Sequence, residues 1–103
     1  IRSITTDQVS VFYAEGRDVF LVTNQNKKFI IDYTLESLED ILDPSLFFRL
    51  NRTFILNINA IREVLVYTNS RLRIVLHNDL GKEIIVSREK VNDFKEWFDG
   101  KRQ

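Results

Sequence analysis

The sequence predicts a mainly β fold with antiparallel strands, a short central helix and a second helix near the C-terminus. Three observations predict this class. The 103 residues, 44% of them apolar, are enough for one domain with its own core. Short segments rich in β-branched and aromatic residues alternate with polar turns. No strand–helix–strand repeat is present that would indicate a parallel sheet.

The first strands are predicted to form a meander. Strands are assigned to Val9–Ala14, Val19–Thr23 and Lys28–Asp32, which are rich in residues that favour extended backbone. The polar tetrapeptides at 15–18 and 24–27 are short enough to connect neighbouring antiparallel strands as turns.

A short helix is predicted after the meander. Thr34 suits the N-cap position, and the Asp43-Pro44 step ends the helical pattern. Between them, apolar residues recur at spacings that place them on one face of a helix. These residues are Leu35, Leu38, Ile41 and Leu42.

Four further strands are predicted after this helix, separated by polar segments. They are Leu46–Leu50, Ile61–Tyr67, Arg71–His77 and Glu83–Val86. Thr68–Ser70 is predicted to be the hairpin turn between the two strands that alternate best. Asn51–Asn57 is instead predicted to be irregular or to form a single turn.

A terminal helix is predicted from Ser87, as its N-cap, through Phe98. Val91, Phe94 and Phe98 follow helical spacing and predict its buried face. Gly100 is predicted to be the C′ residue that ends the helix.

Composition excludes several classes of site. The chain has no Cys, so disulfides, thiolate metal sites and cysteine nucleophiles are excluded. One His, His77, excludes a His-rich metal site, and three Gly cannot build a Gly-rich phosphate loop. We therefore expect no catalytic residue, no metal and no cofactor. No apolar run approaches the ~20 residues of a membrane helix, so no membrane contact is expected.

The charge is balanced overall but not along the chain. Lys and Arg equal Asp and Glu at 15 each, with a pI of about 6.8, which argues against a simple nucleic-acid binder. Residues 1–50 hold five basic and eight acidic groups, a net charge of −3, whereas residues 51–103 hold ten and seven, a net charge of +3. Any binding to a polyanion is therefore expected to use a local patch in the second half.

Two clusters of polar residues interrupt the apolar pattern. Arg49–Thr53 stands between Phe47-Phe48 and Phe54–Leu56, so its polar groups are either buried and hydrogen-bonded or presented from a rigid loop. Ser87–Lys90 lies where a strand becomes a helix, and a Ser cap with nearby Arg and Lys can contact phosphate. A plain N-cap with a solvated first turn is the alternative, although the helix dipole opposes cations there.

Three segments resemble one known family. Residues 47–57, FFRLNRTFILN, resemble the signature Phe-x-Arg-x-His-Arg-Ser-x-Ile/Val-Val-Asn of LytTR DNA-binding domains. The tripeptide at 86–88 resembles the family's Val-Ser-Arg, and residues 34–42 are similar to its helical element. The resemblance extends from Gln8 to Phe98. Asn51 and Thr53 replace the family's usual His and Ser, so no protonatable contact is expected at Asn51.

The resemblance implies a fold and a function. LytTR domains are elongated stacks of small antiparallel β-sheets with short helices, and they read double-stranded DNA through loops that enter successive major grooves. They are C-terminal output domains of bacterial response regulators and commonly occupy direct repeats as two copies. We therefore expect residues 1–103 to be a single such domain of a longer, cytoplasmic bacterial regulator with an upstream receiver or sensor domain. The start at Ile1, without Met, agrees with this expectation.

The resemblance also implies contact residues. Base-reading positions fall on Arg52, on Arg17 in the first hairpin loop, and on Arg88 at the start of the last helix, with Lys90 as the open alternative to Arg88. Arg suits a guanine edge in the major groove. The candidates for phosphate contact are Asn51, Thr53 and Lys90.

A different class of function remains open at this stage. A small β-rich protein-interaction module without DNA binding would use exposed strand edges or the Trp97–Phe98 face. Duplex or heparin binding that falls with salt would discriminate the two hypotheses.

Overall fold

Antiparallel pairing builds two sheets, as the sequence predicts. The computed structural model describes residues 3–102, which contain eight strands and two α-helices. The strands are β1 (Val9–Glu15), β2 (Asp18–Thr23), β3 (Lys28–Ile31), β4 (Phe47–Arg49), β5 (Phe54–Asn57), β6 (Ile61–Tyr67), β7 (Arg71–Leu76) and β8 (Ile84–Val86). The helices are α1 (Leu35–Ile41) and α2 (Val91–Arg102).

The order of the strands separates the chain into two layers. One sheet has the order β3-β2-β1-β5-β4, and the other has the order β6-β7-β8, with every pair antiparallel. The predicted meander is confirmed as β1–β2–β3. The predicted hairpin is confirmed as β6–β7, whose connection is a tight turn with Asn69 and Ser70 in the left-handed region.

The prediction for Asn51–Asn57 was wrong in its second half, because Phe54–Asn57 is the strand β5. Its four residues are all buried, and it pairs with both β1 and β4. Phe54 and Leu56 face one core, whereas Ile55 faces the other. A strand covered on both faces is a continuous apolar run without polar alternation, so the periodicity that marks half-buried strands is absent.

Each face of the five-stranded sheet has its own hydrophobic core. On one face Val11, Tyr13 and Leu56 pack with the inner face of the second sheet and with Phe94 of α2. On the other face Phe12 packs with α1. The result is a stack of α1, the first sheet and then the second sheet with α2, with extents of 43 × 32 × 25 Å. The predicted elongated, mainly β architecture is confirmed.

Helix α1 begins at the predicted cap but buries a narrower stripe. The Oγ1 atom of Thr34 accepts a hydrogen bond from the Ser37 N–H at 3.0 Å, and the Thr34 N–H donates to the Ser37 hydroxyl oxygen at 3.0 Å. Leu35, Leu38 and Leu42 are buried, but Ile41 is 64% exposed, so its predicted place in the stripe was wrong. At 100° per residue, Ile41 lies at the far edge of the face defined by the three leucines.

The terminal helix differs from the prediction at both ends. A 3₁₀ turn spans Arg88–Lys90 before α2 begins at Val91, and the Ser87 side chain makes no capping hydrogen bond. Gly100 lies inside α2 and not at C′, so that prediction was wrong. Gly100 does not adopt the left-handed conformation of a C′ glycine, and the cost of a helical glycine, about 1 kcal/mol, is small enough for the helix to continue. Within residues 3–102, neither helix has the length and hydropathy needed to cross a bilayer.

Candidate nucleic-acid interface

The loop between β4 and β5 presents Arg52 on a backbone that is held from several sides. The Leu50 N–H donates to the Phe54 carbonyl oxygen at 3.0 Å and closes the loop. From the preceding strand, Arg49 Nε donates to the Asn51 carbonyl oxygen at 3.1 Å, and Arg49 Nη2 donates to the Arg52 carbonyl oxygen at 3.2 Å. The Arg52 side chain is exposed. The loop therefore offers a charged side chain from a pre-organised backbone.

Asn51 connects this loop to the second sheet. Its Oδ1 atom accepts the N–H groups of Thr53 at 2.7 Å and Phe54 at 3.0 Å. Its Nδ2 atom donates to the Ile85 carbonyl oxygen on β8 at 2.8 Å. These three bonds use one of the two amide hydrogens, so the predicted phosphate contact of Asn51 would have to use the other.

Arg49 couples the loop to helix α1. Its side chain is only 16% exposed, and Nη1 lies 2.8 Å from a Glu39 oxygen and 3.3 Å from a Glu36 oxygen. Partial burial opposes the charge of Arg49, but the hydrogen bonds to the two glutamates outweigh it and raise the pKa of the guanidinium. A backbone hydrogen bond, followed by the hydrogen bond from Arg49, lowers the pKa of Glu36.

Sequence reasoning assigned no role to Arg49. Its signal was a basic residue between Phe48 and Leu50 in an apolar segment, which left open whether the group is buried and hydrogen-bonded or presented from a rigid loop.

The segment that carries Arg88 and Lys90 lies against the same loop. Ser87 donates to the Leu50 carbonyl oxygen from its N–H and from its hydroxyl, each at 3.4 Å. Arg88 is exposed, whereas Lys90 is half-buried with Nζ 6.0 Å from the centroid of the Phe48 ring. Although the hydroxyl of Ser87 does not cap the helix, its bond to Leu50 aligns the two polar clusters.

Two grooves meet at this contact. One, of about 790 Å³, brings Arg52 and Thr53 together with Lys90. The other, of about 560 Å³, brings Arg88 together with Asn69 and Arg71 of the β6–β7 hairpin. The structure thus places five of the six predicted residues, all but Arg17, around two adjoining grooves.

The β6–β7 hairpin was missed as part of this site. Asn69 occupies the left-handed region with φ of 57°, and Arg71 Nε donates to the Thr68 carbonyl oxygen at 3.2 Å. The Arg71 guanidinium also stacks on Tyr67 at 5.2 Å. The hairpin itself was evident in the sequence, but its position beside Arg88 depends on the pairing of β7 with β8, 10 residues or more further along the chain.

Arg17 occupies the exposed β1–β2 turn and lines neither groove. The turn is nevertheless tied to the site, because the Ala14 N–H donates to the Thr53 carbonyl oxygen at 2.9 Å. Glu15, next to the turn, forms an ion pair with Lys82 at 2.6 Å, and that hydrogen bond lowers the pKa of Glu15.

Exposed arginine and lysine side chains that cluster on one face of a domain are typical of proteins that bind a polyanion such as nucleic acid. The chain belongs to the LytTR family: the model of the LytTr DNA-binding domain matches residues 1–99. The resemblance found in the sequence is therefore confirmed.

Relatives with known names and a solved structure agree with this assignment. The chain is 32% identical over 96 residues to the transcriptional regulatory protein YpdB of Escherichia coli K12, covering 92% of this chain and 39% of that protein. It is 32% identical over 95 residues to the sensory transduction protein LytT of Enterococcus faecalis, covering 84% and 38%. A LytTr DNA-binding domain from Bacillus cereus has the same fold, with a TM-score of 0.82 at 21% identity over 91% of this chain and 84% of that one. The chain thus spans about two fifths of the length of the curated relatives it matches.

Proposed function

We propose that this domain binds double-stranded DNA sequence-specifically and thereby regulates transcription. The observation that carries the proposal is the Arg52 loop, whose backbone is held by Arg49 and Asn51 while the Arg52 side chain is exposed. A loop fixed before binding loses little conformational entropy when it enters a groove. Family membership supports DNA as the ligand.

The side chains have separate roles in this proposal. Arg52 reads a guanine edge in the major groove, and Arg17 and Arg88 read bases or groove shape in the flanking turns of the duplex. We assign the third position to Arg88 and not to Lys90, because Arg88 is exposed whereas Lys90 is half-buried with its ammonium over Phe48. The proposed phosphate contacts, which fix the register of the domain without reading sequence, are Asn51, Thr53 and Lys90.

The wider setting is also a proposal. We infer an output domain of a bacterial two-component response regulator, acting in the cytoplasm as two copies on direct repeats under control of an upstream receiver or sensor domain. The names and lengths of the relatives support this setting. The proposed domain acts by binding alone, without catalysis or a cofactor.

In vitro selection of a randomised duplex pool by the purified domain, at two salt concentrations, tests the proposal. Enrichment of a short motif whose binding weakens as salt rises is the expected result. Failure to enrich any motif, together with no salt-sensitive retention of any duplex, would overturn it and favour a protein-interaction module.

A further inference from the structure

We propose that the outer face of the β6–β7–β8 sheet is a second DNA contact surface, which binds phosphates of the duplex flanking the site read by the loops. The surface consists of Arg71 and Arg73 on β7, which we call the arginine row, and it is extended by Arg62, which lies at the irregular register between Ile61 and Glu63 of β6 and lines a groove with Arg73. This inference rests on the proposed function and extends its footprint to residues that the loops do not contain.

Strand geometry places the row on one face. Leu72 and Ile74 of β7 are buried in the core, so the alternating residues Arg71 and Arg73 lie on the opposite face. Two residues along a strand span about 7 Å, which sets the separation of their Cα atoms. Arg73 and Arg62 are exposed, and Arg71 is half-buried against its own hairpin.

The neighbours of the row across the sheet are uncharged. Arg71 pairs with Tyr67, and Arg73 pairs with Leu65 on β6 and Ile85 on β8. Within the part of the chain that the structure describes, Arg62, Arg71 and Arg73 form no ion pair. The positive charge of the row is therefore available to a ligand from outside the domain.

Acidic groups lie near the row, and their hydrogen bonds to neutral donors leave their negative charge in place. The Asp79 carboxylate accepts the Gly81 N–H at 2.7 Å, and a Glu83 oxygen lies 3.5 Å from the Tyr67 hydroxyl. Glu63 faces the same side as the row but lies opposite Val75, two residue pairs along the strands from the Leu65–Arg73 pair. Glu63 and Glu83 therefore offset part of the positive charge, and the cationic part of the face is the end at Arg71 and Arg73, whose paired residues Tyr67 and Leu65 are uncharged.

The row is continuous with the loops proposed to read DNA. Ile85, the β8 partner of Arg73, is the residue whose carbonyl oxygen accepts the Asn51 side chain of the Arg52 loop. Paired strands lie about 4.8 Å apart, so the row begins one strand away from that contact. At one end Arg71 shares a groove with Arg88, and at the other Arg73 and Arg62 line a further groove of about 270 Å³.

Duplex phosphate fits this surface better than an acidic protein does. A duplex held by Arg52 and Arg88 continues past the loops as a regular line of negative charge, and Arg71, at one end of the row, lines the same groove as Arg88. A guanidinium donates two parallel hydrogen bonds to a phosphate, as it does to a carboxylate, so the choice of DNA rests on the continuity of the row with the loops proposed to read DNA.

The test compares Arg73→Gln with the wild-type domain on two duplexes that contain the selected motif, one with long flanks and one trimmed to the motif. On the long duplex we expect weaker binding of Arg73→Gln with an unchanged base preference, and a plot of log affinity against log salt that is shallower by about 0.9. On the trimmed duplex the two proteins should bind equally. Arg62→Gln combined with Arg73→Gln should lower the slope by about twice as much.

The matched control is Lys95→Gln, which removes one positive charge from exposed α2 on the other side of the second sheet. Equal binding of Arg73→Gln and wild type on the long duplex would overturn the inference, as would a changed base preference. If the wild-type domain enriches no motif at all, the proposed function itself fails, and this result is distinct from a null effect of Arg73→Gln. An unchanged melting temperature for Arg73→Gln shows that its fold is intact.

Discussion

The guanidinium of Arg49 donates a hydrogen bond to the backbone carbonyl oxygen of Arg52 at 3.2 Å, so a mostly buried arginine holds the backbone from which an exposed arginine projects. The same guanidinium binds Glu39 and Glu36 on α1. Helix α1 thereby helps to set the position of the loop between β4 and β5. In this arrangement Arg49 holds the backbone of the loop, and Arg52 is the exposed residue that we propose contacts DNA.

Arg49→Ala should lower the free energy of unfolding by about 1–3 kcal/mol, because it leaves two loop carbonyls and two carboxylates without their shared donor. Urea denaturation at pH 7 measures this change. Glu36→Gln is the matched control, since Glu39 still holds Arg49 at the shorter distance of 2.8 Å, and its effect should be smaller. An unchanged urea midpoint for Arg49→Ala would show that the hydrogen bonds of Arg49 to the loop and to α1 do not stabilise the fold.

Asn51→Ala should release the loop from β8 and from its own internal turn. The Thr53 and Phe54 N–H groups lose their common acceptor, and Ile85 loses its donor. We expect a loss of about 1–3 kcal/mol in unfolding free energy and faster hydrogen exchange at the Thr53 and Phe54 amides. Asn51→Asp keeps the acceptor oxygen, so it should retain protection of those two amides; loss of protection in Asn51→Asp would show that another group holds them.

Arg52→Ala should leave stability nearly unchanged, because the side chain is exposed. It should weaken binding to the selected duplex by about 1–3 kcal/mol and relax the preference at one base pair. Binding to single-base variants of the motif measures both effects. Lys90→Gln provides the contrast, with weaker binding to every sequence and a shallower salt slope. If Arg52→Ala keeps full affinity and preference, the assigned role of Arg52 is wrong.

Local patterns predicted the parts of the fold that depend on neighbours in sequence. The Thr34 cap and the β6–β7 hairpin each lie within a short segment, and the residue types of that segment are enough to predict the local structure. Strand β5 was missed because its burial on both faces depends on β1 and β4 and on two separate cores. No local alternation marks such a strand.

In the candidate site, too, the local sequence predicts single residues, whereas their arrangement depends on long-range contacts. The motif placed Arg52 and Arg88 on loops, but their proximity arises from the contact of Ser87 with Leu50, 37 residues apart. Nothing in either segment alone encodes that contact. The roles of Arg49 and Asn51 were equally out of reach, because Glu39 and Ile85 reach them only after the helix and the second sheet have packed.

Thr34→Ala should lower the free energy of unfolding by about 1 kcal/mol, since it removes the acceptor of the Ser37 N–H at the start of α1. Thr34→Ser keeps that acceptor and should remain close to wild type. Thermal unfolding followed by circular dichroism measures both variants. Equal melting temperatures for Thr34→Ala and wild type would show that packing of Leu35 and Leu38, and not the cap, determines whether this short helix forms.

The free energy of unfolding should decrease at low pH, because folding lowers the pKa values of two glutamates. A backbone hydrogen bond and then Arg49 lower the pKa of Glu36, and Lys82 lowers that of Glu15. A folded pKa below the unfolded value, about 4.3 for Glu, stabilises the fold above that pH, and this contribution is lost as the pH falls through the folded pKa. We therefore expect a flat urea midpoint from pH 8 to 6 and a decline below about pH 5.

Glu36→Gln and Glu15→Gln should each reduce the steepness of that acid decline, because the substituted group no longer takes up a proton on unfolding. Glu96→Gln on exposed α2 is the control, since among the described side chains Glu96 forms no ion pair. Urea midpoints of the four proteins between pH 3 and pH 8 provide the comparison. If Glu96→Gln flattens the decline as much as Glu36→Gln does, general charge repulsion, and not the hydrogen bonds and ion pairs of Glu36 and Glu15, controls the acid response.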